Sequence, residues 1–363
     1  MEHQHGAAPI LPAGTRCDQF QLERMLSVGG FGQVFEARVI SGYGDKSVVK
    51  VEAQSAMFQL LFNECACLKS LNKAFNPENR LDASPFLVYY GYGQIDGFRW
   101  LAMQKCGKNL NDLRAQEPLK KFSIPTSLYI LSKFIESLHL MHSIGWLHRD
   151  VKPANMCISL QNPRHLYILD FGMSRIYVEK DGTLKPRRVS APFRGTLRYV
   201  SVNIHRRQDA SRWDDLWSAF YIATENIVGF LPWRRMGDAK LVEEKKQTFD
   251  LSRLKYGQEY ARPNSLNVLE NYLSTSQTDP SFFYQAPPYD VFQADIATDL
   301  RLRGFPNLLS VPLDWMTIRH PPTHQYHLIN GNAYHRRPAT PRTPKTPKYR
   351  ENQQRNDRSV CFY

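Results

Sequence analysis

The chain reads as an α+β fold. A small antiparallel sheet carrying one helix precedes a larger, mainly helical part. Three observations predict it. First, short apolar runs alternate with glycines: Phe20, Leu22 and Leu26, then Gly29-Gly30-Phe31-Gly32, then Val34 and Phe35. Val48-Val49-Lys50-Val51 follows, and residues 86–103 are broken by Gly91, Gly93 and Gly97. Such runs suit strands joined by tight connections. Second, residues 126–142 repeat Leu128, Leu131, Phe134 or Ile135, Leu138 and Met141 at helical spacing, and residues 216–228 are apolar on nearly every side. A helix of the latter kind is normally buried. Third, a polar cluster, His148-Arg149-Asp150-Val151-Lys152-Pro153-Ala154-Asn155, lies between these helices and is followed by Asp170-Phe171-Gly172. Met156-Cys157-Ile158 and Leu166-Tyr167-Ile168-Leu169 separate the two motifs and read as a strand pair around Asn162-Pro163.

Taken in order, residues 1–14 are poor in apolar periodicity and are expected to form a flexible extension. The first glycines form a strand, loop, strand unit. Glycine lets the backbone close over phosphates where a Cβ would obstruct. Lys50 stands in an apolar strand. Glu64 falls in a helical pattern with Phe58, Leu61, Cys65, Leu68 and Leu71. The strands end at Met103, and Gln104-Lys105-Cys106-Gly107 reads as a connection before a helix opened by Asn109. Gly145 ends the helix of residues 126–142, whose expected job is to support the polar loop after it. A long basic segment, residues 173–190, carries Lys180, Lys185, Arg187 and Arg188. Asp215 opens the buried helix, so its carboxylate must be hydrogen-bonded. Short helical patterns with Pro-rich breaks fill residues 249–315. Residues 317–363 change to His, Pro, Asn, Thr and Arg, and bury too little apolar surface to fold alone.

The 363 residues carry a formal net charge of +13. Residues 318–363 hold nine Lys and Arg against two acids, about half of that charge. A basic protein attracts acidic partners. The tail lacks regular aromatic interleaving, so nucleic acid is not the expected one. No apolar stretch approaches a membrane span. The N-terminus has no basic run followed by an apolar one, so no secretory signal is expected. The six cysteines show no metal spacing. Reduced thiols in a cytoplasmic setting, with the nucleus as the alternative, are the expectation.

Asp150, Lys152, Asn155 and Asp170 converge on one cleft in this reading. Phosphoryl transfer needs such a set. A carboxylate takes the hydroxyl proton, an ammonium steadies the moving group, and an amide and a second carboxylate hold magnesium. At these offsets the two motifs resemble the catalytic loop and metal-binding turn of eukaryotic protein kinases. Ser201-Val202-Asn203 stands where most of those kinases have Ala-Pro-Glu, which resembles the casein kinase I superfamily. Leu11-Pro12-Ala13-Gly14-Thr15, Arg212-Trp213-Asp214-Asp215-Leu216-Trp217-Ser218, Gly229-Phe230-Leu231-Pro232-Trp233-Arg234-Arg235 and Pro312-Leu313-Asp314-Trp315 resemble the tau-tubulin kinase family. The likeness runs over residues 11–315.

The resemblance implies a bilobal protein kinase fold over residues 15–316. The small lobe spans about 15–103, the hinge 104–107 and the large lobe 108–316. It implies a Ser/Thr kinase using ATP and Mg2+, acting as a monomer. Catalytic residues would be Asp150, Lys152, Lys50 and Glu64, with Asn155 and Asp170 on the metal. ATP would meet Ser27, Val28, Gly29, Gly30, Gly32, Val34, Lys50, Met103, Gln104 and Cys106. Ser27 departs from the family pattern, which has glycine there. Thr196 would hydrogen-bond between the catalytic Asp and Lys, and Asp215 would anchor the catalytic loop.

Arg194 and Arg198 are the candidates for substrate recognition alongside Thr196, because a guanidinium fork matches phosphate oxygens. They predict a preference for Ser or Thr near acidic or phosphorylated residues. In the tail Pro338, Pro341, Pro344 and Pro347 recur every third residue, as along a polyproline II face. Thr340, Thr343 and Thr346 each precede a proline and read as sites for a proline-directed kinase. The tail also reads as a tether to an acidic or cytoskeletal surface, or as a plain extension. The alternative function is a kinase-like scaffold without turnover, to which Ser27 alone points.

Overall fold

A computed structural model describes residues 10–29, 32–40, 47–256 and 261–317. The small lobe contains β1 (Arg16–Cys17), β2 (Phe20–Gly29), β3 (Gly32–Val39), β4 (Ser47–Ala53), α1 (Leu60–Phe75), β5 (Tyr89–Ile95) and β6 (Phe98–Gln104). The six strands form one antiparallel sheet in the order β1-β2-β3-β4-β6-β5. Its pleat sorts the side chains. Val49 and Val51 pack outward with Phe20, Leu22, Phe35 and Trp100. Val48, Leu101 and Met103 pack inward against Leu61, Leu68 and Leu71 of α1. The period of two therefore turns Lys50 and Glu52 towards α1.

The small lobe begins earlier than composition suggests. Leu11 is buried in the outward cluster, its N–H donates to Gln33 Oε1 (3.0 Å), and Gly14 N–H donates to the Leu22 carbonyl (2.7 Å). Residues 11–14 thus pack against the sheet just ahead of β1, held by one buried apolar side chain and two hydrogen bonds. Phe58, expected on the apolar face of α1, instead precedes the helix and is exposed.

The large lobe contains α2 (Leu110–Gln116), α3 (Ile124–Ser143), β7 (Trp146–Leu147), β8 (Met156–Ile158), β9 (Leu166–Ile168), β10 (Arg175–Ile176), α4 (Val202–His205), α5 (Arg212–Val228), α6 (Ala239–Thr248), α7 (Asn264–Thr278) and α8 (Tyr289–Leu302). Ser123 caps α3 by accepting the Thr126 N–H, which starts the helix ahead of its apolar repeat. α5 is buried from Arg212 to Ile227 and opens on a capping box between Ser211 and Asp214. It therefore begins before the run of residues 216–228 that announced it. Gly229 ends it in a left-handed conformation.

Two short ladders position the polar motifs. β8 pairs with β9, and β7 pairs with β10. The 148–155 loop leaves β7 and enters β8. The 170–172 turn leaves β9 and runs into β10. Both motifs are pinned at both ends, beside each other, beneath the small sheet.

Candidate active site

The carboxylate of Asp150 is the centre of the site. Lys152 Nζ lies 2.7 Å from its Oδ2, and the Thr196 hydroxyl donates to its Oδ1 at 2.7 Å. Asn155 Nδ2 donates to the Asp150 carbonyl at 2.9 Å. The backbone around Asp150 is held from below by Asp215. Its Oδ2 accepts the His148 N–H and its Oδ1 the Arg149 N–H, both at 2.8 Å. His142 Nε2 also meets Asp215 Oδ2 at 3.0 Å. Burial would raise Asp215, but these partners outweigh it and hold the carboxyl below its usual range. His148 has a defined tautomer. Its Nδ1 accepts the Asp150 N–H (3.2 Å), so Nε2 carries the proton and donates to the Leu169 carbonyl (3.0 Å).

Lys50 and Glu64 form the second group. Lys50 Nζ lies 2.6 Å from Glu64 Oε2 and 3.3 Å from Asp170 Oδ1. Burial pushes Glu64 up to about 7, against the pull of Lys50. Burial would also raise Asp170, but Lys50 and Lys152 outweigh it and hold the carboxyl below its usual range. Phe171 packs its ring against His148 (5.6 Å between centroids) and Phe86 (6.2 Å), tying the turn to both lobes.

A metal fit can be tested on these residues. The Oδ1 of Asn155 is buried and has no hydrogen-bond partner, and the Asn155 carbonyl accepts the Leu169 N–H (2.9 Å) just before Asp170. An orphaned carbonyl oxygen next to a charged carboxylate suits a hard divalent cation, which prefers oxygen ligands. Among the described residues there is no cluster of three His, Cys, Asp or Glu for a softer metal.

The order of these groups along the chain, with the sheet above and the helices below, agrees with the comparison of the sequence with known families. The model of the protein kinase domain matches residues 20–281, well over half of the chain. The chain belongs to the protein kinase domain family. This kinase domain is 35% identical over 230 residues to a probable serine/threonine-protein kinase of Dictyostelium discoideum, a match covering 62% of this chain and 44% of that one. It is 40% identical over 166 residues to the serine/threonine-protein kinase spe-6 of Caenorhabditis elegans, covering 43% of this chain and 44% of that one. A probable casein kinase I homolog of Encephalitozoon cuniculi is 28% identical over 229 residues, covering 63% of this chain and 68% of that one. The first two matches span less than half the length of those relatives.

The kinase cleft treats the other expected residues unevenly. Met103 and the Cys106 side chain are both packed in the core. Gln104 turns its side chain away from the nucleotide side. Its Oε1 accepts the Val88 N–H (3.1 Å) and its Nε2 donates to Tyr167 Oη (2.8 Å), so only its backbone can face ATP. Ser27 lies in β2 opposite Val34, without a left-handed backbone, so its position does not demand glycine. Val28 and Gly29 continue β2 at its exposed end. Gly32 is different: at φ +121°, an added Cβ would sit 2.2 Å from the Val51 carbonyl oxygen. Gly30 lies outside the described residues.

The recognition arginines divide likewise. Arg198 lies 3.5 Å from Glu225 and donates to the Arg234 carbonyl (3.2 Å), sharing that carboxylate with Arg114 at 2.8 Å. Arg194 stacks on the Phe58 ring (4.9 Å) and, with Arg149 and Arg188, lines a hollow beside Asp150's loop. Burial, together with Arg175, Arg188 and Arg194 nearby, lowers Arg149 to about 10. Asp209 answers Arg175 and Arg188.

Sequence reasoning missed Glu52. This buried carboxylate accepts the N–H groups of Leu60 (3.0 Å) and Leu61 (3.2 Å) with its Oε1, capping α1 from a neighbouring strand. The available signal was an acid two residues from Lys50 on the same strand face, beside a helix whose own start has no capping side chain.

Proposed function

We propose that the chain is a Ser/Thr protein kinase that moves the γ-phosphoryl group of ATP to a protein hydroxyl, with magnesium as the required ion. Within the casein kinase I-like group, the motifs at residues 11–15, 212–218, 229–235 and 312–315 support a place among the tau-tubulin kinases. One observation carries the reading: the Asp150 carboxylate lies between Lys152 and Thr196, and Lys50 joins Glu64 to Asp170. A scaffold without turnover has no need of so complete a set.

In this mechanism Asp150 orients the substrate hydroxyl and takes its proton as the oxygen attacks the γ-phosphorus. The bond from that phosphorus to the β,γ-bridging oxygen breaks, and ADP leaves with the electron pair. Lys152, beside Asp150, answers charge on the transferring group. Lys50 holds the phosphates that stay with ADP, and Glu64 keeps Lys50 aimed. Asn155 Oδ1 and Asp170 would hold Mg2+, which neutralises charge on the phosphates when bound. Removal of one such positioned base typically costs about 10²–10⁴ in rate.

Substrates with acidic or phosphorylated residues near the acceptor are preferred. The support is the hollow lined by Arg149, Arg188 and Arg194, in whose wall Asp214 and Asp215 also stand and where Asp209 pairs with Arg188. The protein works as a monomer in the cytoplasm or nucleus. Among the described residues no helix is long and apolar enough to cross a membrane.

The test is transfer of labelled γ-phosphate to casein and to a Ser/Thr peptide array, comparing wild type with Asp150→Asn. Transfer that collapses in the variant and favours acidic flanks supports the proposal. An array without acidic preference removes the substrate claim. A wild type that binds ATP yet transfers nothing, on any substrate, moves the reading to the scaffold.

A further inference from the structure

The turn that carries Asp170 has a disfavoured backbone. Asp170 has φ +64°, in the left-handed region that residues with a Cβ rarely adopt. Such a residue persists where its surroundings fix it from several sides. Part of that fixing comes from α1. Asn63 is the residue before Glu64. Its Nδ2 lies 3.1 Å from the Phe171 carbonyl oxygen, 3.0 Å from that of Gly172 and 2.8 Å from that of Ser174. Three carbonyls converging on one point decide which end of the amide faces them. Only the NH2 end donates, and an oxygen there would meet three acceptors. From the other side Arg149 Nε donates to the Met173 carbonyl (2.6 Å). The helix also lies directly on the turn, since a Cβ on Gly172 would come within 3.1 Å of Leu60 Cβ.

α1 therefore makes two adjacent grips. Glu64 holds Lys50, and Asn63 holds the backbone just after Asp170. We propose that Asn63 is a positioning residue for phosphoryl transfer: it locks the 170–174 turn to α1, so that Asp170 reaches the metal and Lys50 together. The proposal rests on the kinase reading above and deepens it. Asn63 touches neither ATP nor the reacting hydroxyl. Its effect passes through Asp170, so it should appear in the magnesium requirement before it appears in substrate affinity.

The experiment uses the full chain with Asn63→Asp and Asn63→Ala. The Asp variant keeps the shape and replaces the donors by acceptors. The Ala variant removes the grip while favouring helix formation, so the fold survives. Two quantities are measured. One is the Mg2+ concentration for half-maximal phosphate transfer to casein. The other is amide hydrogen exchange across residues 170–176 without nucleotide, which needs no turnover. Losing this grip is expected to raise the magnesium requirement about tenfold in the Asp variant and less in the Ala variant, with the KM for casein within about twofold. Exchange across the turn is expected to speed by a similar factor, with the unfolding midpoint near that of wild type. An active wild type whose variants keep its magnesium requirement and its exchange overturns the Asn63 proposal. If wild type transfers no phosphate, the kinase reading fails, and unchanged exchange in the variants would then remove the grip as well.

Discussion

Glu64 is the residue whose charge state decides the site. Its carboxyl is raised by burial to about 7, from an ordinary 4.5, while Asp170 beside the same lysine is held low. The sign follows. A carboxyl raised in the folded state prefers its proton there, so its contribution to stability is full below pH 4.5 and is lost as pH rises through about 7. Activity runs the other way, because Lys50 needs the ionised form to stay aimed. kcat/KM for casein is therefore expected to fall as pH drops below about 7, the direction opposite to the Glu64 contribution to stability. Glu64→Gln should be slower at pH 8 and should lose this acid limb. A wild-type profile that stays flat to pH 5.5, or a limb that survives in the variant, would refute the assignment. Asp150, Lys152 and Asp170 were legible in the sequence because two local motifs carry them at fixed offsets. The side-chain contacts of Gln104 and Arg198 were not. Their side chains answer to Tyr167 and Glu225, partners far along the chain that no local pattern announces.

At the scale of elements, α1 is tied to the site by side-chain contacts, where the catalytic motifs are held by ladders and the buried α5. Its start lacks a capping side chain of its own, and Glu52 supplies the cap from β4. The second oxygen of Glu52 is buried without a partner, so docking of α1 provides the hydrogen bonds this carboxylate receives. Burial holds its pKa above the usual range, although Leu60 and Leu61 pull the other way. Losing a helix N-cap costs about 0.5–2 kcal/mol. Glu52→Ala is expected to lower stability by about that much and to reduce kcat by roughly threefold to thirtyfold, as α1 spends time away from Lys50. Glu52→Gln keeps an acceptor and should recover most of the loss. Thermal unfolding and casein kinetics on both variants check this. Equal loss in both would mean that the charge, and not the cap, is what matters. The helices α3 and α5 were read from their apolar spacing, but their starts were not. Capping by Ser123 and Ser211 extends each beyond its apolar run, and a cap is a polar signal that periodicity ignores.

At the scale of the molecule, the two lobes and their order could be read from the switch between strand-like and helical periodicity. Composition alone did not mark the packing of Leu11, one apolar residue in a weak stretch. Trp315 is anchored in the large lobe. Trp315 packs its ring on Phe122 (5.6 Å between centroids) and donates from Nε1 to the Pro163 carbonyl (3.0 Å). Asp314 accepts the Ser123 N–H that opens α3 (2.6 Å). Removing residues 318–363 should therefore leave the unfolding midpoint and transfer to casein within about twofold of the full chain. Trp315→Ala should cost about 2 kcal/mol, near half the ~3–5 kcal/mol of a fully buried aromatic, because this ring is only partly covered. What the shortened chain should lose is attachment to acidic surfaces. The removed residues carry nine cations against two acids. Binding to microtubules, taken as an acidic surface, is expected to weaken more than about tenfold on removal, and for the full chain to fade as salt shrinks the screening length from about 10 Å at 0.1 M towards 3 Å at 1 M. Co-sedimentation at two salt concentrations, with both chains, measures it. Equal, salt-independent binding by both would leave the basic residues without a role as a tether.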